Sequence, residues 1–304
     1  MNKQQMIDKL VNWSPEQQST QVIRNDISGW AGATHQFCEK QIAAIQAAGL
    51  TGRPLLVRGD PGLGKSQLAP ALASLLGFDY DAITIHADTE INDLLYRVDH
   101  VERLFLAQSN DKKVKKDDLD ISKFLHQGIL WRAIKPDKID ENKGLVVLID
   151  EIDKAESSLP NALLEVLNNY TISVPALKEP IEGNSERAVF FVLTSNDERE
   201  LPAAFMRRCA VLDLSLNNAQ QLVDVFECHK QRLEANELDE QLVKTLADDL
   251  IDYRKAQKEA HKYAPGTAEF LDILSALAKF SADKRQAKLD GLKEVFMFKK
   301  EQRD

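Results

Sequence analysis

The sequence predicts an α/β fold: a parallel, doubly wound sheet followed by an all-helical region. Three observations carry that prediction. Short apolar runs alternate with helical patterns between residues 54 and 216. One run, Leu145 to Ile149, is unbroken, as in a strand buried on both faces of a parallel sheet. From Asn217 onward every apolar pattern keeps helical spacing.

The elements follow in order. Residues 1–37 are polar, with no clear period, and read as an entry segment. Cys38, Ile42, Ile45 and Ala48 sit at helical spacing, and Gly49 is expected to close that helix. PLLVRG (54–59) is a strand, and Leu68, Leu72, Leu75 and Leu76 mark a helix ending at Gly77. DAITIHA (81–87) reads as a second strand. DLLYRVDHVERLFLAQ (93–108) reads as one amphipathic helix, and NDKKVKKDDLD (110–120) as a solvated charged loop. LVVLID (145–150) is the third strand, and PNALLEVLNN (160–169) a helix with Pro160 in its first turn. AVFFVLTSN (188–196) and AVLDLSL (210–216) complete the strands. Three helical patterns then follow, through Leu222 and Phe226, Leu242 to Leu250, and Phe270 to Leu277. The expected organisation is an entry segment 1–37, an α/β domain 38–216 with an insertion at about 88–131, and a helical domain 217–304.

Composition narrows the function classes. With 304 residues, 43% hydrophobic and 29% charged, the chain has the make-up of an ordinary globular protein. No apolar run approaches the ~20 residues of a membrane helix. The first residues, MNKQQMIDKLVNW, lack the apolar core of a secretory signal. Three cysteines, Cys38, Cys209 and Cys228, form no even framework and no CxxC pair, so a reducing, cytoplasmic setting is expected. The net charge of −9 argues against coating nucleic acid as the main task. His35, His86, His100, His126, His229 and His261 show no ligand spacing, and no metal besides Mg²⁺ is expected.

Two motifs carry chemistry. Gly59-Asp60-Pro61-Gly62-Leu63-Gly64-Lys65-Ser66, continuing into Gln67, fits the phosphate-binding pattern GxxxxGK[ST] between a strand and a helix. Its glycines allow positive φ, so that successive amides point at phosphate oxygens, and the helix N-terminus faces the same anion. Lys65 is expected at the β- and γ-phosphates and Ser66 on Mg²⁺. The run LVVLIDE ends in Asp150-Glu151, the Walker B arrangement. Asp150 is expected to hold Mg²⁺ through water, and Glu151 to act as general base on the attacking water. Asn196 closes another apolar strand, where an amide either orients that water or caps a turn.

Taken together, GDPGLGKS, LIDEIDKA, PNALLEVL and NDERELPAAFMRRC resemble the AAA+ ATPases, and among them the MoxR-like group. The likeness covers roughly residues 38–280. It implies ATP and Mg²⁺ as ligands, a five-stranded sheet of order 5-1-4-3-2, a small helical lid, and a ring, commonly hexameric. It also implies a partner protein, often of von Willebrand A type. By the same likeness Asn196 is sensor 1, and Arg207 and Arg208 are arginine-finger candidates for a neighbouring subunit, with Arg199 a third. The family's sensor 2 arginine has no counterpart, because Ala268 stands at the matching place. Lys255, Lys258, His261 or Lys262 could stand in for it, or form a solvated basic face. Arg97, Arg103, Trp131 and Arg132 fall where the family carries pore- or partner-facing insertions, although Trp131 also suits a core. A nucleic-acid motor and a nucleotide-gated scaffold with little turnover are the competing readings.

Overall fold

The computed structural model describes residues 2–13, 21–22, 34–108, 119–135, 143–184, 186–260 and 262–298. Most of the charged stretch 110–120, and His261, lie outside them. The chain opens with α1 (Lys3–Val11), the short strands β1 (Gln21–Val22) and β2 (Thr34–His35), and α2 (Glu39–Thr51). Next come β3 (Leu55–Arg58), α3 (Leu68–Leu76), β4 (Asp79–Thr84) and α4 (Ile91–Leu95). A hairpin region follows, with β5 (Tyr96–Val98), α5 (His100–Gln108) and β6 (Leu125–Gln127), and then α6 (Ile129–Ile134). After β7 (Leu145–Asp150) come α7 (Ser158–Asn169), β8 (Thr171–Ile172), β9 (Ile181–Glu182), β10 (Val189–Ser195), α8 (Ala203–Met206) and β11 (Ala210–Asp213). The chain ends in four helices: α9 (Ala219–His229), α10 (Glu240–Glu259), α11 (Thr267–Ala278) and α12 (Ala282–Phe296).

Five strands form one sheet in the order β11-β3-β10-β7-β4. Numbered along the chain within that sheet, this is 5-1-4-3-2, the expected order. Pairing is parallel, with Leu145 opposite both Asp79 and Val189. At the other side Ala210 donates to Pro54 and Leu214 to Arg58, so β11 runs parallel to β3. Interior β7 is buried along Leu145–Ile149, as its unbroken apolar run requires. Edge strand β4 is only partly covered, so Asp79 and Asp81 are tolerated in it. The expected second strand therefore starts two residues early and stops at Thr84, where His86 and Thr89 form a turn.

Two further expectations are corrected. Residues 93–108 are not one helix, because Tyr96–Val98 pairs antiparallel with Leu125–Gln127. Tyr and Val suit a strand, and the partner lies too far along the chain for a helical count to register. Asp99 then restarts the helix, its Oδ1 accepting from Glu102 N at 2.7 Å. Gly49 does not close its helix, which continues to Thr51. A Cβ at Gly49 would stand 2.2 Å from Leu10 Cδ1, so glycine there allows close packing. The left-handed residue after that helix is Gly52.

The chain divides into two compact units. One comprises Met1–Asn12, Ile45–Leu56 and Leu76–Ala210. Its core gathers β7 and β10 with Leu94, Leu130, Leu163 and Leu164 of the surrounding helices. The other comprises Trp13–Ala44, Val57–Leu75 and Val211–Asp304. Its core is the four C-terminal helices, with Phe226, Leu246, Leu250 and Phe270 at the centre and Leu63 packed against them. Among the described residues no helix is long and apolar enough to cross a membrane.

Candidate active site

The phosphate-type loop begins where β3 stops. Gly59 has φ +142°, and a Cβ there would stand 2.4 Å from the Leu214 carbonyl oxygen, so no larger residue fits. Gly62 and Gly64 follow at φ +77° and +79°. Among the described residues, the amides of Gly62, Leu63 and Gly64 donate to no backbone carbonyl, although these residues are half-buried. A Cβ on Gly64 would meet nothing within 4 Å. Donors without a backbone acceptor, beside open space, suit an anion with several oxygens. Lys65 is buried, and its Nζ donates to the carbonyls of Gly59 at 2.7 Å and Asp60 at 2.8 Å. Its ammonium is thus held over its own loop. A tight turn over Lys65–Gln67 leads into α3, whose N-terminus faces the loop's end. Asp60 is half-buried and Pro61 exposed, and the Ser66 hydroxyl is an oxygen donor of the kind Mg²⁺ takes.

The carboxylates occupy the end of β7. Register places Leu193 opposite Ile149, and so Thr194 beside Asp150. The Thr194 side chain is fully buried. Its hydroxyl donates to Asp150 Oδ1 and accepts from Glu151 N at 2.9 Å. Glu151 itself adopts φ +60°, a left-handed conformation rare outside glycine, which redirects the chain at the strand end. Its carboxylate lies between Lys154 Nζ at 2.7 Å and Asn196 Nδ2 at 3.2 Å. This pairing holds the Lys154 ammonium above its usual range, the hydrogen bond to Glu151 being the main cause. Asp153 is almost fully buried and accepts from the amides of Asn196 at 3.0 Å and Glu198 at 2.9 Å. Burial, and then the Asp150 charge, push the Tyr80 hydroxyl up to about 12. The arrangement fixes one carboxylate for a hard cation and sets a second against a neutral amide.

The structure thus brings Asn196 to Glu151. It also supplies Thr194, Asp153 and Lys154, to which motif reading gave no role. Asp153 and Lys154 lie inside LIDEIDKA; the partners of Asp153 are 43 and 45 residues downstream, whereas Lys154 pairs with Glu151 three residues back. Arg207 caps α8, Arg208 follows it, and both are exposed. Arg208 lines a cleft of about 330 Å³ with Asn161, Glu165, Asn168 and Asn169. Arg199 braces the Walker B turn, donating to the Lys154 carbonyl at 3.4 Å.

Most of the insertion residues are committed elsewhere. Trp131 packs on the core, Arg132 pairs with Asp81 at 2.8 Å, and Arg103 donates to the Leu119 carbonyl. Arg97 is exposed. Asp99, Glu102 and His126 bring three potential ligand atoms within 4.8 Å of one another, a grouping with no signature in sequence spacing. Of the cysteines, Cys209 is buried and its thiol is pushed up to about 12 by that burial.

A five-stranded parallel sheet with a glycine loop after its first strand and Asp-Glu closing its third defines a P-loop nucleotide-binding protein. The chain belongs more narrowly to the AAA domain family, dynein-related subfamily, whose model matches residues 54–209. It is 25% identical over 206 residues to a mitochondrial Lon protease homolog of Yarrowia lipolytica, covering 65% of this chain and 15% of that protein. It is 24% identical over 161 residues to midasin of Giardia intestinalis, covering 51% of this chain and 3% of that one. The chain therefore spans only a small part of these curated relatives. Among solved structures, the RuvB Holliday junction branch migration motor of Thermotoga maritima matches with TM-score 0.40 and 14% identity, over 84% of this chain and 74% of that one.

Proposed function

We propose that this chain is a ring-forming, Mg²⁺-dependent ATPase of MoxR type that remodels or activates a protein partner in the cytoplasm. The observation that carries the reading is the 59–66 loop: three glycines at positive φ, half-buried amides without backbone acceptors, and a buried lysine over them. The loop from Gly59 to Gln67 binds the triphosphate, with Lys65 leaving its own carbonyls for the phosphates. Ser66 and Asp150 would hold Mg²⁺, which would supply charge neutralisation on the bound triphosphate. Glu151 takes the proton of the attacking water, and Asn196 orients that water from the neighbouring strand. Arg207 and Arg208 are the finger candidates, acting across a subunit boundary of a homo-oligomer, commonly a hexamer, on developing γ-phosphoryl charge. The expected organisation is an α/β domain over 38–216 and a helical lid over 217–304. A von Willebrand A type partner is the protein client this reading favours, and the net charge of −9 weighs against nucleic acid.

One observation favours a second reading, a nucleotide-gated scaffold with little turnover. Glu151 is engaged on both carboxylate oxygens, by Lys154 and by Asn196, which leaves only its remaining lone pairs for the attacking water. Two variants separate the readings. Lys65→Ala should abolish binding of a fluorescent ATP analogue, while Glu151→Gln should retain binding and lose steady-state phosphate release. Unchanged release in both variants refutes the ATPase assignment. An ATP-induced ring with negligible release in the wild type, even with the partner present, selects the scaffold.

A further inference from the structure

The C-terminal helices aim an arginine at the phosphate-type loop. The Arg254 side chain, in the C-terminal part of α10, is only 2% exposed. Its Nη1 donates to the carbonyls of Ala264 at 3.1 Å and Pro265 at 2.7 Å, and its Nη2 pairs with Asp60 Oδ2. One turn on, on the same helix face, Lys258 places Nζ 2.6 Å from the same oxygen. The start of α11 holds the loop from another side. Ala268 N donates to the Gly62 carbonyl at 3.2 Å, and a Cβ on Gly266 would stand 3.2 Å from Gly62 and Pro61 backbone atoms.

Asp60 is an awkward residue for a phosphate-binding loop, since it adds a negative charge where an anion is to be held. Two cations from one helix offset it, and they differ in kind. Arg254 is buried, with Nη1 held by two carbonyls and Nη2 on Asp60, so it is fixed. Lys258 is half-exposed on a flexible stem, with Asp60 as its ion-pair partner, so it can turn away at little cost. We propose that Arg254 is a positioning residue for the phosphate loop, neutralising and fixing Asp60, and that Lys258 exchanges from Asp60 to the terminal phosphate of a bound nucleoside triphosphate. The proposal rests on the nucleotide-binding reading of residues 59–66.

The test is equilibrium binding of fluorescent ATP and ADP analogues to the full chain with Mg²⁺, read by anisotropy. Arg254→Met should weaken ATP binding about tenfold, because Asp60 is left undercompensated beside the phosphates. Asp60→Asn combined with Arg254→Met should recover to within about threefold of Asp60→Asn alone, since no carboxylate then needs a partner. Lys258→Met should weaken ATP about threefold or more while changing ADP little. A double variant as weak as Arg254→Met overturns the positioning role and leaves Arg254 a packing residue. Equal loss of ATP and ADP in Lys258→Met overturns the exchange. If Arg254→Met does not fold, Arg254→Gln, which loses the charge and keeps an amide donor for the two carbonyls, replaces it in the same cycle under the same criteria. Lys65→Ala separates the two levels: if it binds as the wild type does, the nucleotide reading fails. If it abolishes binding while the Arg254 and Lys258 variants match the wild type, only the present proposal fails.

Discussion

One hydroxyl group holds both Walker B carboxylate residues, and removing it offers a test worked directly from geometry. Thr194 donates to Asp150 Oδ1 and accepts from the Glu151 amide at 2.9 Å, with its side chain fully buried. Thr194→Val keeps the shape and deletes both bonds. It removes one partner from an amide and one from a carboxylate oxygen, at roughly 1–3 kcal/mol each, so a loss of about 2–6 kcal/mol is expected. Against a typical stability of ~5–15 kcal/mol the variant should still fold at low temperature. Thr194→Ser is the control, keeping the hydroxyl and losing one methyl for about 1 kcal/mol. Urea unfolding followed by circular dichroism gives both values. Because supporting hydrogen bonds around metal and catalytic ligands are commonly worth about 10–100-fold, phosphate release by Thr194→Val should fall by that factor while Thr194→Ser stays near the wild type. Equal stability and equal turnover in the two variants would show that register alone, and not this hydroxyl, sets the carboxylates.

Two further outcomes are expected. Gly59→Ala combines a disfavoured φ with a Cβ 2.4 Å from a backbone oxygen and should cost about 2–4 kcal/mol. Gly64→Ala, at φ +79° with open space around it, should cost only about 1–2. Urea midpoints in the reverse order refute the loop geometry. His35 and His229 are each lowered to about 4, mainly by burial, with His229 acting on His35 and Arg232 on His229 as further causes. Both therefore stay neutral when folded, and between pH 6.5 and 4 the unfolded chain binds more protons. Stability should be complete above pH 6.5 and fall with acid, by about 1.4 kcal/mol per unit per histidine. Unfolding at pH 7.5, 6.5 and 5.5 measures the slope. His229→Gln should flatten it, and an unchanged slope excludes the pair as its source.

What could be read from the sequence was local. GDPGLGKS lies within eight residues, and LVVLIDE combines a burial pattern with the residues that end it, so both announced themselves together with their strands. Asn196 was placed by the same logic, as the polar residue closing an apolar run. The supporting contacts were hidden because each joins distant positions. Arg254 meets Asp60 across 194 residues, and α10 reads as an ordinary amphipathic helix unless the fold is known. Thr194 looked like one more β-branched strand residue, which is what its buried position would select in any case. Tyr96–Val98 kept a helical count that only pairing with Leu125–Gln127 overrode.

The contacts at the ends of β7 and β10 converge on one variable, the register between them. Thr194 reaches Asp150 and Glu151, Asn196 reaches Glu151, and Asp153 returns to the amides of Asn196 and Glu198. None of these survives a one-residue slip, because side chains alternate faces along a strand and Thr194 would then point away from Asp150. The apolar stretches Leu145–Ile149 and Phe190–Leu193, which look like mere core, therefore have a second role. Buried on both faces, they carry little alternation of their own to specify register. The polar cross-bracing beyond them, five side chains within a few residues of the strand ends, supplies that specification. The groups proposed to act on nucleotide are thus the same groups that align the strands presenting them. Substitutions at Asp153 or Thr194 should consequently lower stability and turnover together, whereas loss of the exposed Arg207 or Arg208 should lower turnover alone.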